Sequence, residues 1–189
     1  IIKHSRLQLF KHFCLANLMD KSITTEQINC TGCTTLGKDK FHCWKRTGHG
    51  LVDLRKAMAC SCDVYFHEVA RRLGIDNIEK YAKKFGFGGR VCLDVPSESV
   101  GLIPSREWKR RKYNNDWKEY ETILVGTGQG YVLSNIMQIA TATARLCLMD
   151  SNFYPTFIFD NEYHIRNNDL NKAAVNLVKQ SMFDVCNSK

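Results

Sequence analysis

Between residues 30 and 62 the chain places five cysteines and two histidines: Cys30, Cys33, His42, Cys43, His49, Cys60 and Cys62. Thiols and imidazoles at this density limit how the segment can fold. Thiolate and neutral imidazole are ligands for soft and borderline metals, and a bound metal would order a stretch that has little else to order it. Residues 24–50 are polar, contain glycine and show little periodicity. A loop of that length inside a compact domain is unusual and tends to be functional. Cys30-Thr31-Gly32-Cys33 has the spacing of a metal knuckle. The same thiols could equally be buried or surface groups with no metal, and spacing alone leaves both readings open. The nine cysteines are an odd number, which excludes a fully paired disulfide framework without an outside partner. Cys60 and Cys62 fall in or beside a helix, where side chains two apart point away from each other. Reduced thiols, some of them on metal, fit this pattern better than a disulfide scaffold.

A length of 189 residues and a 44% hydrophobic content suit one domain with a sizeable core. No apolar run approaches the roughly 20 residues that a membrane span needs. The polar start excludes the apolar stretch of a signal peptide. Because the chain begins with Ile1, it is expected to be a piece of a longer product or a processed one. The net charge of +8 points to an anionic partner or surface. Its densest patch, Lys109-Arg110-Arg111-Lys112, reads first as a solvated helical face. Trp108 and Tyr113 beside it are the weak support for nucleic-acid binding.

Residues 12–20 read as a short apolar helix. Residues 52–73 look helical with an interruption near Ser61, Asp63 capping the second segment and Gly74 ending it. Another amphipathic helix opens at Ile75-Asp76 and runs through Lys84, with Ile78, Tyr81, Ala82 and Phe85 inward. Residues 90–104 are irregular or extended. Ser105 caps a short basic helix, Thr122–Val125 suits a buried strand, and Ser134 caps a long helix through about Met149. Thr156–Phe159 suits a strand. Leu170, Ala173, Ala174, Leu177, Val178, Met182 and Val185 form a last helical stripe, more in keeping with core than with a cofactor site. The mixture is a helix-dominated α+β domain with no internal repeat and no linker to a second domain.

The glycine-rich run Gly126-Thr127-Gly128-Gln129-Gly130 is weak on its own. It lacks the Gly-Lys-Ser/Thr of a phosphate loop and the spacing of a dinucleotide fingerprint. Longer blocks are more specific. Phe41-His42-Cys43-Trp44-Lys45-Arg46-Thr47-Gly48-His49-Gly50, then Val52-Asp53-Leu54, then Ser61-Cys62-Asp63-Val64-Tyr65-Phe66 stand in order. Gly101-Leu102-Ile103-Pro104-Ser105-Arg106-Glu107-Trp108-Lys109 and Gly128-Gln129-Gly130-Tyr131, with Gln138, follow. Together they resemble the penicillin-binding protein 2 family, the elongation-specific class B peptidoglycan D,D-transpeptidases, over roughly residues 10–187.

This resemblance implies an incomplete serine-transpeptidase-like α+β domain: a helix-rich lobe plus part of a central antiparallel sheet, spanning residues 1–189. The family's active site uses Ser-x-x-Lys, Ser-x-Asn (or Asp) and Lys-Ser/Thr-Gly. A serine attacks a D-Ala-D-Ala carbonyl, a lysine takes its proton, and the serine of the second motif relays a proton to the leaving amine. Ser61-Cys62-Asp63 matches the second motif, giving Ser61 and Asp63 as site residues. Lys11 matches the lysine of the first. Three residues before it stands Gln8, whose amide cannot form an acyl-enzyme, so the nucleophile is expected to be absent; Ser5, six residues before Lys11, is out of register. Residues 1–9 diverge, and the strand with the third motif is expected to be missing beyond residue 189. The fragment is therefore expected to be inactive.

Some members of the family hold zinc beside the active site, and the matching positions here are Cys30, Cys43, His49 and Cys62. The implied cofactor is a structural zinc with Cys33 as a spare ligand. The implied partners are peptidoglycan stem peptide, β-lactams and proteins of the cell-elongation machinery, with no nucleic acid and no membrane span in this chain. The implied location is the periplasmic face of the bacterial inner membrane, without the family's anchoring helix. Two alternatives compete with this reading. One is a non-catalytic, zinc-stabilised binding module of cell-wall synthesis. The other is a basic zinc-binding nucleic-acid protein.

Overall fold

The computed structural model describes residues 26–92, 94–158 and 170–187. Gln8, Lys11 and the expected helix at 12–20 lie outside the described residues. Within them the order is β1 (Ile28–Cys30), β2 (Cys33–Leu36), β3 (Asp39–His42), β4 (Gly50–Val52), then α1 (Leu54–Ala59), α2 (Asp63–Leu73) and α3 (Ile75–Lys84). After these come α4 (Arg106–Tyr113), α5 (Glu119–Gly126), α6 (Ile136–Leu148) and α7 (Lys172–Asn187). The fold is helix-rich α+β, with its antiparallel pairing in two short two-stranded sheets.

The stretch read as an unstructured loop is a pair of nested hairpins. The outer pair joins β1 to β4, with Ile28 opposite Val52 and Cys30 opposite Gly50. The inner pair joins β2 to β3, with Cys33 opposite His42 and Leu36 opposite Asp39. The alternation that announces a strand is lost here because the strands are short and few of their side chains reach the core.

Helix α2 is the centre of the molecule. Val64, Tyr65, Phe66, Val69 and Ala70 on it are buried together with Leu54, Met58, Ile78, Phe85 and Val125. Asp53, in extended conformation, caps α1 by accepting from the Lys56 N–H at 2.8 Å. Asp63 does not cap α2. The N-cap is Cys62, and Asp63 stands inside the first turn, where a carboxylate still suits the positive end of the helix. Ser105 caps α4 as expected, accepting from the Trp108 N–H at 3.1 Å.

Further expectations are corrected. Thr122–Val125 lies in helix α5 rather than in a strand. A short apolar run does not distinguish a buried strand from a buried helix, and the helix-start signal is upstream, where Glu121 accepts from the Lys118 N–H at 2.7 Å. Asn135 caps α6, accepting from the Gln138 N–H at 2.7 Å, while the Ser134 hydroxyl donates to Gln138 Oε1. Residues 156–158 are not a strand; the Asp94 carboxylate accepts from the Thr156 hydroxyl and the Phe157 N–H. The stripe on α7 is also shifted, with Val175 and Ser181 buried and Ala173 and Val185 exposed.

Helices α2 and α5 cross in close contact, and Gly126 permits it: a Cβ there would stand 2.2 Å from Ala70 Cβ. Gly126→Ala should therefore force the helices apart and lower stability by about 1–3 kcal/mol. The check is a reduced urea midpoint in equilibrium unfolding at unchanged slope.

Candidate metal centre and the Ser61 turn

The nested hairpins bring distant ligands together. Cys30 ends β1 opposite Gly50, so His49 comes beside it as the chain enters β4. Cys43 follows β3, and its N–H donates to the Gly32 carbonyl at 2.9 Å, closing the inner hairpin. Two glycines make this closure possible. A Cβ on Gly48, whose φ is +81°, would lie 2.1 Å from the Cys30 carbonyl oxygen. A Cβ on Gly32, at φ +96°, would lie 1.9 Å from the Arg46 carbonyl oxygen. Cys62 arrives from the other side, at the N-cap of α2, with its N–H donating to the Ala57 carbonyl at 2.8 Å.

The structure brings Cys30, Cys43, His49 and Cys62 into one cluster, whose ligand atoms lie within 4.8 Å of one another. All three thiols are buried. His49 Nδ1 stands 3.6 Å from Cys30 Sγ and 3.5 Å from Cys43 Sγ, while its Nε2 is buried without a hydrogen-bond partner. Cys33 is half-buried and outside this cluster, and Cys60 is half-buried beside it. Burial pushes the Cys62 thiol strongly up. Burial also works to raise Cys30, but hydrogen bonds with the His49 and Gly32 backbone and with the Cys62 and Cys43 side chains outweigh it and leave that thiol lowered. Burial, followed by the Lys45 charge, lowers His49 despite the opposing Asp63 carboxylate, so the ring is held in the neutral form a metal needs.

Ser61 occupies the turn between α1 and α2 with φ +53°, a left-handed conformation rare outside glycine. Its N–H donates to the Met58 carbonyl at 3.2 Å. Asp63 Oδ2 accepts from the Trp44 N–H at 3.1 Å, and the Trp44 indole N–H donates to the carbonyls of Cys60 at 2.9 Å and Ser61 at 3.1 Å. Thus Ser61 and Asp63 flank a cluster ligand, and a single residue of the hairpin loop touches all three turn residues 60, 61 and 63. Trp44 is 62% exposed, so it is not a core packing residue. Its position directly after Cys43 was the signal in the sequence.

In the basic patch Lys109 is buried and pairs with Glu121 at 2.5 Å. At the surface Arg110 pairs with Asp116 at 3.0 Å and Arg111 with Glu107, while Lys112 lies over the Trp108 and Tyr113 rings.

The model of the penicillin-binding protein transpeptidase domain matches residues 9–189, and the chain belongs to that family. The peptidoglycan D,D-transpeptidase MrdA of Acinetobacter baumannii is 47% identical over 116 residues, 61% of this chain and 17% of that protein. A crystal structure of Pseudomonas aeruginosa PBP2 in complex with WCK 5153 superposes with a TM-score of 0.79 at 30% identity, covering 93% of this chain and 42% of that one. The complex of PBP2 with MreC from Helicobacter pylori gives 0.82 at 28% identity, covering 97% and 34%. The chain spans about a sixth of the length of the curated relatives.

If Gly48 sets the closure of the cluster, Gly48→Ala should open it. Mass-mapped alkylation of the metal-free protein should then label Cys30, Cys43 and Cys62 at least about tenfold faster than in wild type, since exposure controls thiol access. Cys147 and Cys186, already exposed, should be unchanged.

Proposed function

We propose that this chain is part of a peptidoglycan D,D-transpeptidase of cell-wall elongation, and that Ser61-Cys62-Asp63 forms one wall of its acyl-transfer site. The observation that carries this reading is the placement of Ser61 and Asp63 on either side of Cys62, in a turn held by the nested hairpins. In this reading the Ser61 hydroxyl is the group that would pass a proton to the leaving amine, the left-handed turn fixes where its side chain points, and Lys11 matches the lysine that deprotonates the family's serine, a residue replaced here by Gln8. The substrate class is the D-Ala-D-Ala end of a stem peptide, which β-lactams imitate. Gln8, at the position of the nucleophile, cannot form an ester, so the chain as it stands does not complete acylation. That residue also favours the second reading, a non-catalytic module of the same machinery.

Cys30, Cys43, His49 and Cys62 would hold a zinc ion. The donor set fits: three thiols and a neutral imidazole suit tetrahedral zinc, and a tetrahedron with Zn–S of about 2.3 Å and Zn–N of about 2.05 Å has an S···N edge of roughly 3.6 Å. The observed 3.5 and 3.6 Å separations match that edge. With four protein ligands there is no open position, so zinc would supply structural cross-linking. It would tie the hairpins to the start of α2 and hold thiolates that would otherwise be protonated or oxidised.

The Helicobacter pylori relative, solved in complex with MreC, supports partners in the elongation machinery. The proposed setting is the periplasmic face of the bacterial inner membrane, where this machinery shapes the cell. Among the described residues no helix is long and apolar enough to cross a membrane.

Incubation with benzylpenicillin followed by intact-mass measurement tests the site. The expected result is no penicilloyl adduct, and an adduct on Ser61 would contradict the role given to it. Because Cys62 is pushed up by burial, metal uptake must release protons, and protons compete more strongly as pH falls. Zinc affinity in chelator competition should therefore drop by at least about tenfold per pH unit from pH 8 to 6. A pH-independent affinity would contradict thiolate ligation.

A further inference from the structure

Trp44 is an unusual exposed residue. Most of its ring is in solvent, so burial of apolar surface does not explain it. Its ring meets one aromatic neighbour, the edge of His49, at 5.2 Å and 65°. All its hydrogen bonds go to the short stretch from Cys60 to Asp63: the indole N–H is shared between two successive carbonyls, and the backbone N–H reaches Asp63 Oδ2. Those carbonyls belong to Cys60, at φ −93° and ψ 5°, and to Ser61, at φ +53°. A left-handed serine persists only when its surroundings determine it. Within the turn, Ser61 N–H donates to Met58 and Cys62 N–H to Ala57, and the Trp44 indole reaches the Cys60 and Ser61 carbonyls from the hairpin side. It does so from the position next to a cluster ligand, against the ring of a second ligand.

We propose that Trp44 is a positioning residue that clamps the Ser61 turn and transmits to it the state of the four-ligand cluster. Closing the cluster fixes Cys43 and His49, and these set the position of the indole that holds the Cys60 and Ser61 carbonyls. Cys62 is thus not the only route from the cluster to Ser61: a second one runs through a side chain that ligates nothing. The clamp bears on function through the acyl-transfer and metal readings above, on which its importance rests.

The test uses the whole chain, with and without zinc ion, and two substitutions that remove the indole N–H. Trp44→Phe keeps an aromatic ring. Site-specific replacement of Trp44 by benzothienylalanine keeps the bicyclic shape and exchanges only the N–H for sulfur, and it decides the matter if the phenylalanine variant folds poorly. Site-resolved hydrogen exchange is read at the Ser61 and Cys62 amides. In wild type, zinc should slow both. In the variants both amides should exchange at least about tenfold faster than in zinc-loaded wild type, since loss of a local restraint lowers only local opening energies. Zinc stoichiometry, the spectrum of the cobalt-substituted protein, the melting temperature and exchange in α5 and α6 should stay as in wild type.

Unchanged exchange at Ser61 and Cys62 in both variants would overturn the clamp. Faster exchange throughout the molecule with a lower melting temperature would overturn it too, leaving Trp44 a general structural role. If wild type takes up no zinc, the metal reading and the transmission fall, and the comparison of metal-free wild type with metal-free variant still decides the clamp. Failure of the acyl-transfer reading would show in the benzylpenicillin experiment and leave these exchange rates untouched.

Discussion

The described structure depends on three buried thiols and a half-buried imidazole that meet where two hairpins reach the start of a helix. Buried donors of this kind are unfavourable unless they are paired, hydrogen-bonded or bound to a metal. Here they lie at the closed end of β1 and β4 and at the N-cap of α2, so the hairpins and the central helix cannot be placed independently. The rest of the molecule follows from that junction. α2 buries one face against α5 at Gly126, while α7 contributes Val175 and Val178 to the same core and Arg55 of α1 pairs with its Asp184 at the surface.

The same junction places chemistry beside structure. Ser61 sits in the turn because Cys62 must enter the cluster and Asp63 must start the helix. The left-handed backbone at Ser61 costs roughly 1–3 kcal/mol for a residue with a side chain. Such strain is sustained where the surroundings hold it, and here they do so through Cys62 on one side and Trp44 on the other.

Much of the helical frame was legible in the sequence, because α2, α3, α6 and α7 carry apolar periodicity and clear stop signals such as Gly74. The cluster was legible through its residue types: Cys30, Cys43, His49 and Cys62 are chemically distinctive, and the resemblance selected them from the five cysteines and two histidines of the segment. The hairpins were not legible, because three- and four-residue strands with polar faces leave no alternation to read. Helix α5 reads as a strand in the sequence because Thr122, Ile123 and Val125 are β-branched, and only Glu121 reaching back to Lys118 marks a helix start. The role of Trp44 was hidden for a different reason. A tryptophan is usually read by its ring, and in this fold its N–H is what matters.

In the reading proposed above, the cluster of Cys30, Cys43, His49 and Cys62 is a tetrahedral metal site holding the hairpins to the Ser61 turn. X-ray absorption at the zinc edge of the purified, zinc-loaded chain tests it most directly. The expected result is one zinc with three sulfur ligands at about 2.3 Å and one nitrogen at about 2.0–2.1 Å, with no oxygen ligand. A shell of oxygen and nitrogen alone, or a chain that takes up no zinc, would contradict it.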